Sequence, residues 1–128
     1  MKLILSLLLF TASLTACQES FDDRLQRESR EFTANQCPLD VEPGTRLDSV
    51  TYQPAIQTYT SWYSLSSEYA AALQGNTPLL RRSLLERLRS DTDHKALKDH
   101  GLTFRYVYRA QASGQILCSI DLTARDYQ

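Results

Sequence analysis

Leu102-Thr103-Phe104-Arg105-Tyr106-Val107-Tyr108-Arg109, then Ser113-Gly114, then Ile116-Leu117-Cys118-Ser119-Ile120-Asp121-Leu122-Thr123 is the stretch that decides the fold. Leu102, Phe104, Tyr106 and Tyr108 alternate with Thr103, Arg105, Val107 and Arg109. Ile116, Cys118, Ile120 and Leu122 alternate in the same way with Leu117, Ser119, Asp121 and Thr123. Successive side chains on a strand point to opposite faces, so each run predicts a strand with one apolar face. A glycine turn between two such runs predicts a hairpin.

The signal changes on the N-terminal side of this hairpin. Thr77-Pro78 is a helix start, with a capping hydroxyl followed by proline in the first turn. Leu80, Leu84, Leu85 and Leu88 then recur at helical spacing, while Arg81, Arg82, Glu86 and Arg89 fill the gaps as a solvated charged face. Ser66-Ser67-Glu68 opens a shorter helix, Tyr69 to Gln74, closed by Gly75-Asn76. A further short helix ends at His100 and Gly101. Earlier still, Leu47 to Gln53 reads as a strand ended by Pro54, and Thr58 to Leu65 as a second, with Glu42-Pro43-Gly44-Thr45 as a turn. The order β-β-α-β-β predicts an α+β domain over residues 37–128: a small antiparallel four-stranded sheet with helices on one face. Residues 18–36 read as a charged amphipathic segment in front of it, an N-terminal helix capped by Ser20 or a tether.

Alternation distributes the candidate functional side chains. The sheet face away from the helices carries Thr58, Thr60, Trp62 and Ser64 from one strand, Arg105 and Arg109 from the next, and Asp121 from the last. Trp and Arg are enriched at binding hot spots, so Trp62, Arg105, Arg109 and Asp121 are the candidate binding residues for a partner protein, peptide or sugar. The competing reading is internal, with arginine stacked on Trp62 and paired with Asp121 across the strands. Tyr52, Tyr59, Tyr63, Tyr106 and Tyr108 suggest a glycan platform, against the ordinary role of aromatics as strand formers packed in a core.

Catalytic patterns are thin. Asp91, Asp93, His94, Asp99 and His100 form the only acid–histidine cluster, and a hydrolase would have to be built around His94 and His100. Six residues apart, these histidines fall on different helix faces, unlike an i, i+4 metal pair. Neither a GxSxG elbow nor a glycine-rich phosphate loop occurs. No cofactor, metal site or catalytic residue is expected, and the chain reads as a non-enzymatic binding module.

The N-terminus supplies a location. Lys2 precedes an apolar run, Leu3 to Phe10, broken only by Ser6 and too short to span a bilayer, which takes about 20 such residues. Leu14-Thr15-Ala16-Cys17 resembles the lipobox of bacterial lipoproteins. The resemblance implies a signal peptide over residues 1–16, acyl chains on Cys17 and a membrane anchor. Gln18 after that cysteine implies the outer membrane, and Glu19, Asp22 and Asp23 resemble the acidic surface-export signals of some Bacteroidetes. The stretch Cys37-Pro38, Gly44 to Val50, Tyr59 and Tyr63, with the closing Tyr106/Tyr108 hairpin, is similar to small uncharacterised bacterial lipoproteins, a group without assigned catalytic residues.

With Cys17 used for lipid, Cys37 and Cys118 are left as an even pair in an exported chain, which predicts one disulfide. It would close a loop of about 80 residues, worth at most roughly 4.5 kcal/mol. Removing Lys2 with the leader leaves 13 Lys+Arg of the 14 against 15 Asp+Glu, a formal charge of −2. That balance argues against a nucleic-acid partner, which calls for a basic excess. The expected partners are a membrane, through the anchor, and an envelope protein or glycan.

Overall fold

A computed structural model describes residues 18–128. The leader and Cys17 lie outside the described residues. The domain is α+β, and its sheet has five strands in the order β1-β2-β3-β4-β5: Leu39–Glu42, Thr45–Gln53, Thr58–Leu65, Thr103–Ala110 and Ile116–Leu122. The sheet is mixed, in place of the expected antiparallel four. The extra strand is β1, which pairs with β2 across the Pro43-Gly44 turn; Gly44 takes the left-handed conformation there (φ 75°). β3 and β4 are parallel, because residues 66–102 cross over the sheet and return the chain to the start of β3, where Thr103 faces Thr58. Parallel neighbours need a crossover of a dozen or more residues. Three helices fill it: α2 (Ser67–Leu73), α3 (Thr77–Ser90) and α4 (Lys95–Asp99).

Residues 21–36 are helical, which settles the helix-or-tether alternative. In this helix, α1 (Phe21–Gln36), the Ser20 hydroxyl accepts from the Asp23 amide at 3.1 Å, and Asp22 and Asp23 occupy the first turn, where the helix dipole favours carboxylates. Arg27 makes a two-pronged pair with Glu19, both contacts at 2.9 Å. Leu25 is buried in the core, and α1 packs against β2. β1 pairs only with the first residues of β2, so the rest of β2 has an open edge. Thr33 closes it: its hydroxyl accepts from the Val50 amide and donates to the Val50 carbonyl, both at 3.0 Å. An uncovered edge is a template for another strand, and α1 removes it.

A bulge between Leu47 and Ser49 re-aims β2. Strict alternation from Leu47 would put Val50 and Tyr52 on the opposite face. The extra residue returns both to the side of Leu47, and all three are buried. A second irregularity, between Tyr108 and Arg109, sets Ile116 opposite Arg109. Ile116 is 58% exposed, whereas the alternation placed it on the apolar face; Leu117 packs against the core in its stead. The core joins Leu25, Leu84 and Leu88 from the helices to Tyr52, Leu65, Phe104, Tyr108, Ile120 and Leu122 from the sheet. A last turn of helix, α5 (Ala124–Tyr127), folds back so that the Tyr127 hydroxyl donates to the Leu102 carbonyl at 2.7 Å.

Cys37 and Cys118 are both free, so the expected disulfide is not formed. The cause is their place in the sheet. Cys118 stands on β5 in the cross-strand row Leu47–Tyr63–Tyr108–Cys118. Cys37 ends α1 beside β2, where burial and the neighbouring Asp48 charge push its thiol up. Three strand spacings, about 14 Å, separate β2 from β5. A disulfide needs Cα atoms within about 7 Å.

Candidate functional site

Trp62, Arg105, Arg109 and Asp121 do share the sheet face opposite the helices, where the alternation puts them. They are largely occupied with each other. Arg105 grips Asp121 with two bonds, 2.8 and 3.0 Å. The Arg109 guanidinium sits 5.5 Å from the centre of the Trp62 ring, within cation–π range, and the Trp62 indole donates to the Thr51 hydroxyl at 3.0 Å. These contacts are the internal pairing that competed with the binding reading. Thr60 and Val107, small residues between these long ones, are 2% and 4% exposed although no helix lies above them. The face is roofed by its own arginines and tryptophan.

At its centre lies Asp48, which sequence reasoning did not single out. The bulge in β2 aims it at this face, where it accepts from Arg46 (2.7 Å), Arg109 (3.3 Å) and the Ser64 hydroxyl. Burial works to raise its carboxyl, but the Ser64 bond and the two guanidinium groups hold it below the usual carboxylate range. The sequence signal was a lone Asp in a strand; only the bulge gives it three partners.

The helix-bearing face is not fully roofed. α1 covers β2, and α3 packs toward β5 with Leu84 and Leu88 in the core. Between them β3 is left uncovered over Tyr59, Ser61 and Tyr63. Three cavities join there, of about 270, 480 and 120 Å³, and Tyr63 lines all of them. One wall is α1, with Leu25, Glu28 and Phe32; the other is α3, with Leu84 and Arg87. Asp93, His94 and Leu97 stand at the Tyr59 end, and Tyr69, Leu73 and Leu80 at the Leu65 end. The apolar rim is open to solvent: Phe32 is 38%, Val41 42% and Leu79 61% exposed. Four of the five tyrosines proposed as a platform thus meet at this groove, Tyr63 stacked on Tyr108 at 4.8 Å with Tyr59 and Tyr106 beside them. Burial pushes the Tyr59 hydroxyl up to about 12 and raises those of Tyr63, Tyr106 and Tyr108, so all four are neutral at ordinary pH. Tyr52 instead donates to Asp22 of α1 at 2.6 Å.

The two histidines are not brought together. His94 faces the groove, hydrogen-bonded to Asp91, its ring 5.9 Å from that of Tyr59. His100 stacks flat on Phe21 at 3.6 Å, with its Nδ1 2.9 Å from the Ala96 carbonyl oxygen. Ser61 lines the same cavity as His94, but no hydrogen bond joins them among the described residues. Nothing in this arrangement assembles a nucleophile, a base and its orienting group. No cluster of three or more His, Cys, Asp or Glu suited to a metal occurs among the described residues, and no described helix is long and apolar enough to cross a membrane.

Comparison with known proteins adds a family and a fold. The model of the family described as "Domain of unknown function (DUF8479)" matches residues 20–118. No curated protein matches the chain. Among solved structures, a secreted protein from Pseudomonas aeruginosa is similar with a TM-score of 0.73 at 15% identity, covering 84% of this chain and 92% of that one. The type 2 secretion system pilotin EpsS of Vibrio vulnificus gives 0.67 at 15%, with 84% and 91% covered. The type II secretion system pilotin AspS of Vibrio cholerae gives 0.59 at 14%, with 82% and 90% covered. At such identities the likeness is one of fold.

Proposed function

The chain belongs to the DUF8479 family, and we propose that it works as a pilotin-like, non-enzymatic docking module of the bacterial envelope, holding a short helical segment of an envelope protein in the groove over β3. The observation that carries this reading is the open groove with its tyrosine floor and exposed apolar rim. Its floor of Tyr59, Ser61 and Tyr63 lies between an α1 wall of Leu25, Glu28 and Phe32 and an α3 wall of Leu84 and Arg87, with cavities of about 270, 480 and 120 Å³ along it. The floor from Tyr59 to Leu65 is about 20 Å long at a strand's rise per residue, room for about three helical turns. An amphipathic helix laid into such a groove presents its apolar stripe to the tyrosine floor, a common mode of peptide recognition. The pilotin neighbours support the reading through fold.

The anchor belongs to the same reading. Acyl chains on Cys17 would hold the domain close to the outer membrane, since α1 begins at Phe21 and leaves little slack between lipid and domain. A glycan ligand on the exposed Trp62 face is the less favoured alternative, because Arg105 and Arg109 are already paired there.

Genetic complementation tests the proposal. In the native host lacking this chain, the wild type and a Ser119→Arg variant on the opposite face restore type II secretion of exoproteins. Ser61→Arg, which fills the groove, does not, although it folds by circular dichroism. Cys17→Ser leaves the chain unacylated and unable to restore secretion. Normal secretion without the chain, or equal rescue by Ser61→Arg, would remove the proposal.

A further inference from the structure

The groove has charges of different sign along its length. At the Tyr59 end and along the α1 wall its lining carries the carboxylates of Asp93 and Glu28, with Asp91 already bonded to His94. The one guanidinium in the three linings is Arg87 of α3, which borders both the Leu65-end cavity, beside Glu42, and the middle cavity that reaches Asp91 and His94. It lies close enough to the floor for its charge to act on the hydroxyls of Tyr63, Tyr106 and Tyr108. Its partner is Glu42 of β1 across the groove mouth, at 3.3 Å, with the two side chains 63% and 57% exposed. Such an exposed pair contributes little and exchanges readily.

On the reading of the groove as a helix-docking site, we propose that Arg87 sets the orientation and chemistry of the occupant. The docked helix runs parallel to β3. Its N-terminal turn, basic and at the positive end of the helix dipole, lies over Asp93 and Glu28. Its C-terminal turn supplies a carboxylate that takes Arg87 from Glu42. Both ends of the helix then meet the opposite charge, and the Arg87–carboxylate pair becomes sheltered where the Arg87–Glu42 pair was exposed. Arg87 is thus a specificity residue for an amphipathic segment with basic residues first and a carboxylate last, and Glu42 is the internal competitor for it.

Two labelled 14-residue peptides test this, each with leucines at i, i+3, i+4 and i+7. One has lysines in its first turn, glutamates in its last and a free carboxyl terminus; the other has the charges reversed and an amidated end. The reversed peptide is the better helix in isolation, so a preference for the first cannot come from helicity. Binding is read by fluorescence anisotropy on the full lipidated chain in nanodiscs, with empty discs as control. The expected result is about tenfold tighter binding of the first peptide, a preference lost in Arg87→Glu. Glu42→Gln should tighten the first peptide about threefold, on the order of what a surface pair is worth. A purely structural ion pair would instead make both variants weaker. Equal affinity for the two peptides, unmoved by Arg87→Glu, overturns the orientation and leaves the groove reading standing. Binding of neither peptide overturns both. A dimer of the chain that either peptide dissociates would make a second copy the occupant and overturn the proposal.

Discussion

Asp48 shows how one residue gains a role from its surroundings. Its side chain is 16% exposed and ties β2 to β3 through Ser64 and to β4 through Arg109. Replacing it by alanine strips partners from two guanidinium groups and a hydroxyl, an expected loss of about 2 kcal/mol in urea denaturation. The pH dependence has a definite sign. Its carboxyl titrates lower in the folded than in the unfolded chain, so its contribution is present above the unfolded value and is lost as pH falls through the folded one. The stability gap between wild type and Asp48→Asn should therefore be full at pH 7 and close below about pH 4. A gap that widens on acidification would contradict the assignment. Trp62, Arg105, Arg109 and Asp121 were legible as a set because alternation alone fixes a face. That they satisfy one another was also legible as the competing reading, because cross-strand neighbours on one face pair readily; which arginine takes which partner was a matter of register.

Among the elements, the closing hairpin was readable because both runs alternate and a glycine turn joins them. β1 was not. It has four residues, all exposed, and its only signal was the turn beside it. The antiparallel expectation for β3 and β4 failed for a different reason: strand signals carry no direction, and the crossover through three helices decides it. The bulge at Leu47–Ser49 brings Leu47, Val50 and Tyr52, which strict alternation would split between two faces, onto one buried face. α1 was ambiguous because its apolar stripe is thin; contact with β2 makes it a wall and an edge cap. Thr33→Val should cost about 1–3 kcal/mol, since it leaves the Val50 amide and carbonyl without their partner. Amide exchange at Val50 should accelerate in that variant. Unchanged protection there would mean that α1 does not guard the edge.

For the whole molecule, the sequence pointed to the open face of the sheet, and the structure points to the helix-bearing one. The groove was hidden because it is a space between α1 and α3, and no residue pattern records how far apart two elements stand. Its floor was partly visible in the tyrosines. Placement on the sheet also governs the cysteines. With Cys17 replaced by serine, the chain should yield two titratable thiols under denaturing, non-reducing conditions, from Cys37 and Cys118. A value of zero would restore the disulfide. The central claim is that the groove over β3, and not the Trp62 face, receives an envelope protein. A photo-crosslinking amino acid placed in living cells at Ser61, in the groove, and separately at Ser119, on the opposite face, tests it most directly. The account predicts that position 61 captures a subunit of the type II secretion apparatus through one of its helical segments, and that position 119 captures none. Capture of that subunit from position 119 alone, or from neither position, would contradict it.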